Sequence, residues 1–248
     1  QGVLGFTGAL LKIIRRTIPT HIVVIFDGEH TNERMMLNAD YKANRPDYSQ
    51  IANEETPFSQ MPDVYSALDF LGIAHTETID CEADDMIASY ALTYGQKMQI
   101  VIVSFDSDFF QLITDNVSVL RYRGDKTIVC DPAYIQNKLH IIPYQYPDFK
   151  SLTGDTSDNI KGADKVGPIT AAQLLTEFGT LSCIIQNAEN IKKPSIRQSI
   201  IQNTERLKIN YQLIKLDNKT SLPFDLNQLV YQQNSVSTNE VLLGIGLR

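Results

Sequence analysis

Short acidic groups stand directly after the most apolar runs of this chain, and that arrangement constrains its fold more than any other feature. HIVVIF at 21–26 ends in Asp27, and QIVIVSF at 99–105 is followed by Asp106 and Asp108. Continuous β-branched runs of this length read as strands buried on both faces, the kind found in parallel sheets. Parallel strands need crossover segments, and helical spacing of apolar residues appears at 3–16, 63–71 and 82–94. The expected class is therefore α/β, with a mainly parallel central sheet flanked by helices. Such sheets gather their ligands beyond the C-terminal ends of the strands, where these acids stand.

The rest of the chain divides around residue 131. Before it, further strands are expected near 73–76, 117–122 and 127–129, with a short helix at 109–113. Residues 28–62 are polar, contain Pro46, Pro57 and Pro62, and lack periodicity, which marks a functional or mobile connection. After 132 the strand signals stop. Helices are expected near 132–139, 145–152, 168–177, 181–187, 195–203 and 204–214, followed by a weakly patterned tail from about 217. The expected domains are an α/β core at 1–131, including the connection at 29–62, and a helical subdomain at 132–248.

A net charge of −7 argues at first against a nucleic-acid partner. Setting aside eight acids (Asp27, Glu82, Asp84, Asp85, Asp106, Asp108, Asp155 and Asp158) leaves 21 acidic against 22 basic residues. Residues 161–215 carry eight Lys or Arg and four acids. The chain thus reads as an acidic pocket beside a mildly basic second half. No apolar run approaches the ~20 residues that span a bilayer, so no membrane partner is expected. The three cysteines, Cys81, Cys130 and Cys183, are widely spaced. They exclude a disulfide framework and suit a reducing compartment, and with no secretory signal the expected location is the cytoplasm.

The acids form four groupings: Asp27; Glu82, Asp84 and Asp85; Asp106 and Asp108; Asp155 and Asp158. Singly, each has an ordinary reading as a helix cap or a solvated face. Together they repel one another strongly unless cations neutralise them. Oxygen donors without a His/Cys cluster suit Mg²⁺ or Mn²⁺ rather than zinc. Two such ions stabilise the attacking and leaving oxygens of a phosphodiester displacement. His21, His30, His75 and His140 show no motif spacing and read as ordinary surface or core residues.

In sequence these groupings resemble the 5′-nuclease family, the flap endonucleases and the 5′→3′ exonuclease domain of bacterial DNA polymerase I. The matching blocks are FDG at 26–28, YKANRP at 41–46, EADD at 82–85, SFDSD at 104–108, GDTSDN at 154–159 and GADKVGPITAAQLL at 162–175. They occur in the family's order. The resemblance implies a PIN-like nuclease core and a two-ion site built from the eight acids named above, with Asp27 and Glu82 nearest the hydrolysed bond. It makes Lys42 and Arg45 the residues that draw in the scissile phosphate from the base of an arch at 29–62. It makes Tyr41 a platform for a terminal base and Arg34 a phosphate contact. The implied substrate is DNA with 5′ ends, flaps or junctions, handled by a monomer with a polymerase as fused or separate partner.

Residues 162–175 resemble the family's helix–hairpin–helix, placed here at about 155–178, whose backbone N–H groups hold duplex phosphates. Gly162, Gly167 and Thr170 belong to it, with Lys161, Lys165, Lys192, Lys193 and Arg197 as flanking phosphate contacts. Lys165 stands where a hairpin glycine is usual and Ile169 where lysine is common, a departure that weakens the case for the family's hairpin potassium ion. The family also opens with an aspartate-bearing strand that has no counterpart before Gln1, so the chain reads as incomplete at its start. The alternatives are a junction-binding protein of the same fold without catalysis, a dehalogenase-like phosphatase, and a PIN-type ribonuclease. Phe109-Phe110 fits the phosphatase poorly, and the hairpin block does not belong to the ribonuclease.

Overall fold

The computed structural model describes residues 2–28, 33–44 and 57–247. Along the chain run α1 (Gly2–Thr17), β1 (Val23–Phe26), α2 (Glu33–Leu37), α3 (Met61–Phe70), β2 (Ala74–Glu77), α4 (Ala83–Tyr94), β3 (Ile100–Val103), β4 (Val117–Arg121) and β5 (Ile128–Cys130). Then follow α5 (Pro132–Leu139), α6 (Tyr146–Thr153), β6 (Gly154–Asp155), β7 (Ile160–Lys161), α7 (Pro168–Phe178), α8 (Leu181–Gln186), α9 (Pro194–Gln202), α10 (Thr204–Ile214) and α11 (Thr238–Gly244). Every expected strand and helix has a counterpart within a few residues. The expected helix at 109–113 is a 3₁₀ turn, Asp108–Leu112.

Packing divides the chain into two compact units, each built from separate stretches of the chain. One comprises 1–30, 46–83 and 221–248; the other comprises 31–45 and 84–220. In the first unit β1 and β2 pair in parallel, from Val23 with Ala74 to Phe26 with Glu77. Its core joins Val3, Leu11 and Ile14 of α1 to Val64 and Leu68 of α3, with Tyr231 and Val241 from the tail. The tail is therefore not loose. It returns to β1, where Ile22 N–H donates to Leu229 C=O and Tyr231 N–H to Thr20 C=O. It then forms α11, started by a capping box between Ser237 and Glu240.

In the second unit β3 and β4 pair in parallel and β5 adds antiparallel to β4. Buried residues of α4 (Ala88, Ala91), β3 (Ile102) and β4 (Val117, Val119) share a core with Phe149 and Leu152 of α6, Leu175 of α7 and Leu207 of α10. The helices after 132 thus pack onto this ladder as one body. Asp155 and Asp158 belong to a small hairpin, with β6 antiparallel to β7, rather than to a helix. Among the described residues, no helix is long and apolar enough to cross a membrane.

Candidate active site

In the first unit the end of β1 carries the FDG block. Thr78 N–H donates to Phe26 C=O at 3.0 Å, and Gly28 N–H donates to Thr78 Oγ1 at 3.2 Å. The chain after β2 therefore lies flat on residue 28, and a Cβ there would overlap the Thr78 carbonyl oxygen. Glycine is required by that close approach. The adjacent Asp27 is exposed at the strand end, and its Oδ1 accepts the N–H of Ala83 at 2.7 Å. Glu82, next to Ala83, is buried at 6% exposure. Asp27 and the segment bearing Glu82 are thereby held together.

The second unit holds the other six acids, and they divide into two kinds. Asp85 in the first turn of α4 is buried and saturated. It takes a bidentate ion pair from Arg34, with Nη2 at 2.7 Å and Nη1 at 3.0 Å, and accepts the N–H of Asp217 at 2.8 Å. In this structure the Arg34 guanidinium, expected to meet a phosphate, and Asp85, expected to hold an ion, are engaged with each other. Asp84, beside it, is half-exposed.

The remaining four gather around Asp108. Asp106 Oδ1 accepts the Asp108 N–H at 2.8 Å, two residues on, at the entry to the 3₁₀ turn after β3. Asp108 Oδ1 is enclosed by protein and has no hydrogen-bond partner among the described residues. Burial, with Asp106, Asp155 and Asp158 close by, pushes the Asp108 carboxyl up to about 8, against a small opposing pull from Lys150. Asp155 goes the other way. Burial would raise it, but hydrogen bonds from Lys150 and Ser157 hold it below the usual carboxylate range. Lys150 Nζ lies 2.7 Å from Asp155 Oδ2, while Oδ1 accepts the Ser157 N–H and hydroxyl. Burial, and then the Asp108 charge, raise the Tyr146 hydroxyl. Among the described residues, no three Asp, Glu, His or Cys side chains converge on one ion-sized point.

An enclosed carboxylate oxygen without a donor, surrounded by three further carboxylates, is a costly arrangement for a protein to leave alone. The donor set is oxygen only, which suits a hard divalent cation. Asp106, Asp108, Asp155 and Asp158 are the carboxylates of this group, and Asp27 and Glu82 are carboxylates of the other unit.

Residues 40–44, which include the start of the YKANRP block, are joined to the GDTSDN hairpin. Lys42 N–H donates to Asp158 C=O at 3.0 Å, Asn159 Nδ2 to Asp40 C=O at 2.9 Å, and Asn44 Nδ2 to Thr156 C=O at 3.1 Å. Lys42 and Asn159 both hold the left-handed backbone region, with φ of 57° and 58°. Non-glycine residues there cost about 1–3 kcal/mol and cluster at functional sites. Tyr41, expected as a platform for a base, is 3% exposed and packed with Ile160, Leu213 and Ile214. The Lys42 ammonium caps it 4.9 Å from the centroid. That ring has no free face for a base, so it anchors the loop. Arg45 lies outside the described residues, as do 29–32 and 46–56 of the expected arch.

Within the hairpin block, Gly162 passes so close to the backbone of 152–154 that a Cβ would overlap the Leu152 carbonyl oxygen. Lys165 replaces a glycine yet takes the conformation a glycine would, with φ of 66°. Gly167 caps α7 without a side chain, and Pro168 follows, so the N–H groups of Ile169 and Thr170 in the first turn face outward. Lys161, Lys165, Lys192 and Lys193 are exposed, Lys161 lying 3.3 Å from Asp164. Arg197 is half-buried, with its Nε enclosed. Arg206, not singled out by the sequence, donates from Nη2 to Gly162 C=O at 2.8 Å and braces the turn. Lys150 was likewise missed, since no motif spacing sets it apart.

A parallel ladder with acids at its C-terminal ends, an enclosed carboxylate cluster and a helical half with a phosphate-sized turn define a class of acid-rich α/β proteins that handle phosphate esters. The chain belongs to the 5′-3′ exonuclease family. Residues 1–140 match the family's N-terminal resolvase-like domain and residues 141–237 its C-terminal SAM fold. It is 32% identical over 230 residues to the 5′-3′ exonuclease of Aquifex aeolicus, covering 92% of this chain and 75% of that one. It is 33% identical over 234 residues to DNA polymerase I of Streptococcus pneumoniae, covering 93% of this chain but only 26% of that protein. The chain thus spans about a quarter of the polymerase relatives it matches. Its fold is that of the bacteriophage T5 flap endonuclease, solved as a pseudo-enzyme–product complex with DNA and metal ions. The TM-score is 0.72 at 21% identity, over 87% of this chain and 81% of that one.

Proposed function

We propose that this chain is a structure-specific 5′ nuclease, a 5′→3′ exonuclease and flap endonuclease that hydrolyses DNA phosphodiester bonds with two divalent ions, Mg²⁺ or Mn²⁺, in replication and repair. The observation that carries the reading is the enclosed, donorless Asp108 oxygen among Asp106, Asp155 and Asp158. Bound ions would supply charge for the attacking and leaving oxygens. In the second unit Asp106, Asp108, Asp155 and Asp158 would hold such charge. Lys42, fixed by its backbone to the Asp158 carbonyl, brings an ammonium to the chain segment of those carboxylates, and with Arg45 would draw in the scissile phosphate. Duplex DNA would lie on the first-turn N–H groups of Ile169 and Thr170 beside Gly167, and on Lys161, Lys165, Lys192, Lys193 and Arg197, through phosphates and without base readout. The relatives include DNA polymerase I and a shorter 5′-3′ exonuclease, which supports work as a polymerase domain or as a monomer alongside one, on cytoplasmic DNA.

Cleavage of a labelled 5′-flap duplex, with and without Mg²⁺, tests this, with affinity measured on the same preparation. Wild type should cut only with the ion. Asp106→Ala should lose at least about a hundredfold in rate, on the scale of deleting one group that stabilises transition-state charge, yet bind within a few-fold. Normal cutting by Asp106→Ala would remove the ion-site reading, and binding without any cutting by wild type would favour a junction-binding protein.

A further inference from the structure

The acids around Asp108 pose an electrostatic problem that the fold has solved before any ion arrives. Asp106, Asp108, Asp155 and Asp158 are close enough for the last two and Asp106 all to raise the Asp108 carboxyl. Asp155 and Asp158 are 6% and 7% exposed, so solvent screens them little. One base reaches into this group from α6. The Lys150 ammonium sits 2.7 Å from Asp155 Oδ2, with its side chain only 18% exposed. Asp155 has its other oxygen on Ser157, so it is fully satisfied as it stands. Among the described residues the carboxylates do not converge on one ion-sized point. One of them is turned onto an internal cation.

We infer that Lys150 is the resident counter-ion of the ion-free site: its ammonium occupies Asp155 where a divalent ion would, and it must give Asp155 up when that ion binds. The inference rests on the reading of this cluster as a divalent-ion site. An ammonium suits such a role. It is a point charge on a flexible four-carbon stem, making one contact here and able to swing away without unfolding anything. The contact keeps a buried carboxylate ionised and its oxygens correctly placed while no ion is present. It also weakens the ion's hold, since the ion must compete with a charge already there. Lys150 is thus a positioning residue, setting the concentration at which the site loads rather than touching the reacting atoms.

The test is direct ion binding to the full chain, without DNA, using Mn²⁺ followed by electron paramagnetic resonance or calorimetry. Lys150→Gln keeps a hydrogen-bond donor for Asp155 but removes the charge, and Lys150→Met removes both. Both should bind Mn²⁺ more tightly than wild type, by about tenfold, which corresponds to ~1.4 kcal/mol. Lys150→Arg, which restores a cation, should bind no more tightly than wild type. Thermal unfolding gives a second readout for variants that are hard to handle. Ion-free Lys150→Met should melt below wild type, because a buried carboxylate has lost its partner. Mn²⁺ should then raise its melting temperature by more than it raises that of wild type. Unchanged or weaker Mn²⁺ binding in both Lys150→Gln and Lys150→Met would overturn the counter-ion role while leaving the ion site standing. Absence of Mn²⁺ binding by wild type would overturn the ion site itself, and the role with it.

Discussion

Asp85 closes one acidic grouping and Asp155 opens another of the same three-residue spacing, and each is paired with a base, but the two pairs differ in build. Asp85 sits in the first turn of α4 and meets Arg34 through two parallel hydrogen bonds, with a third from the Asp217 backbone. A planar guanidinium matched to a planar carboxylate gives geometric specificity as well as energy, and such a pair does not open easily. Asp155 sits in a two-stranded hairpin and meets a single ammonium. The first pair ties α2 to α4 and to the chain after α10. The second neutralises a buried carboxylate of the hairpin through one ammonium. Identical spacing of acids along a chain therefore does not imply identical roles, and the shape of the basic partner separates them.

The largest effect should come from breaking the fixed pair. Arg34→Ala leaves Asp85 buried and uncompensated, and removing one partner of such a pair costs about 3–5 kcal/mol. Chemical denaturation should show that loss in the ion-free protein. Arg34→Met combined with Asp85→Leu, which removes both charges, should recover most of it. If Arg34→Ala unfolded like wild type but bound DNA weakly, Arg34 would be a phosphate contact after all.

Much of this was legible beforehand, and the failures have physical causes. β-branched runs and helical spacing located β1, β3 and the helices, since both periodicities are local. The acids of the Asp108 cluster were found because strand ends collect ligands. The Arg34–Asp85 pair spans 51 residues, and nothing local distinguishes an arginine that will be buried from one that will meet solvent. Tyr41 failed for the same reason: its burial depends on Ile160, Leu213 and Ile214, far along the chain. Helix α11 is a different miss. Its Ser237-Thr-Asn-Glu240 start is a readable capping box, overlooked because the following turn is short.

An intermediate effect should appear when pH is used to separate the two regions. Asp108 rises to about 8 in the folded, ion-free protein, from an ordinary value of 3.8, chiefly through burial. Between those values the folded state holds a proton that the unfolded state has released, so stability must fall as pH rises. The slope is at most roughly 1.4 kcal/mol per pH unit. Below pH 4 both states are protonated and above 8 both are ionised, so the loss is confined to that window. Melting curves from pH 5 to 8 with a chelator present should decline for wild type and flatten for Asp108→Asn. Parallel curves for wild type and Asp108→Asn would mean that Asp108 titrates as an ordinary surface acid.

The smallest effect concerns how the hairpin of Asp155 passes its position to Lys42, something the Arg34 pair has no means of doing. Three hydrogen bonds join residues 40–44 to 156–159, and one of them, from Asn44 Nδ2 to the Thr156 carbonyl, is an exposed side-chain contact at 3.1 Å. A single bond of that kind is worth about 0.5–1.5 kcal/mol net. Asn44→Ala should therefore slow single-turnover cleavage by a few-fold, with little change in stability or DNA affinity. The informative measurement is the double variant. If Asn44 acts by holding the Lys42 ammonium in place, then once Lys42→Ala has removed that ammonium, Asn44→Ala has nothing further to misplace. Lys42→Ala with Asn44→Ala should then cut no more slowly than Lys42→Ala alone, a coupling that cancels most of the single effect. Losses that simply multiply would show that the Asn44 contact works through the carboxylates of the hairpin instead, and the loop at 40–44 would be a brace for the ion site rather than a holder for Lys42.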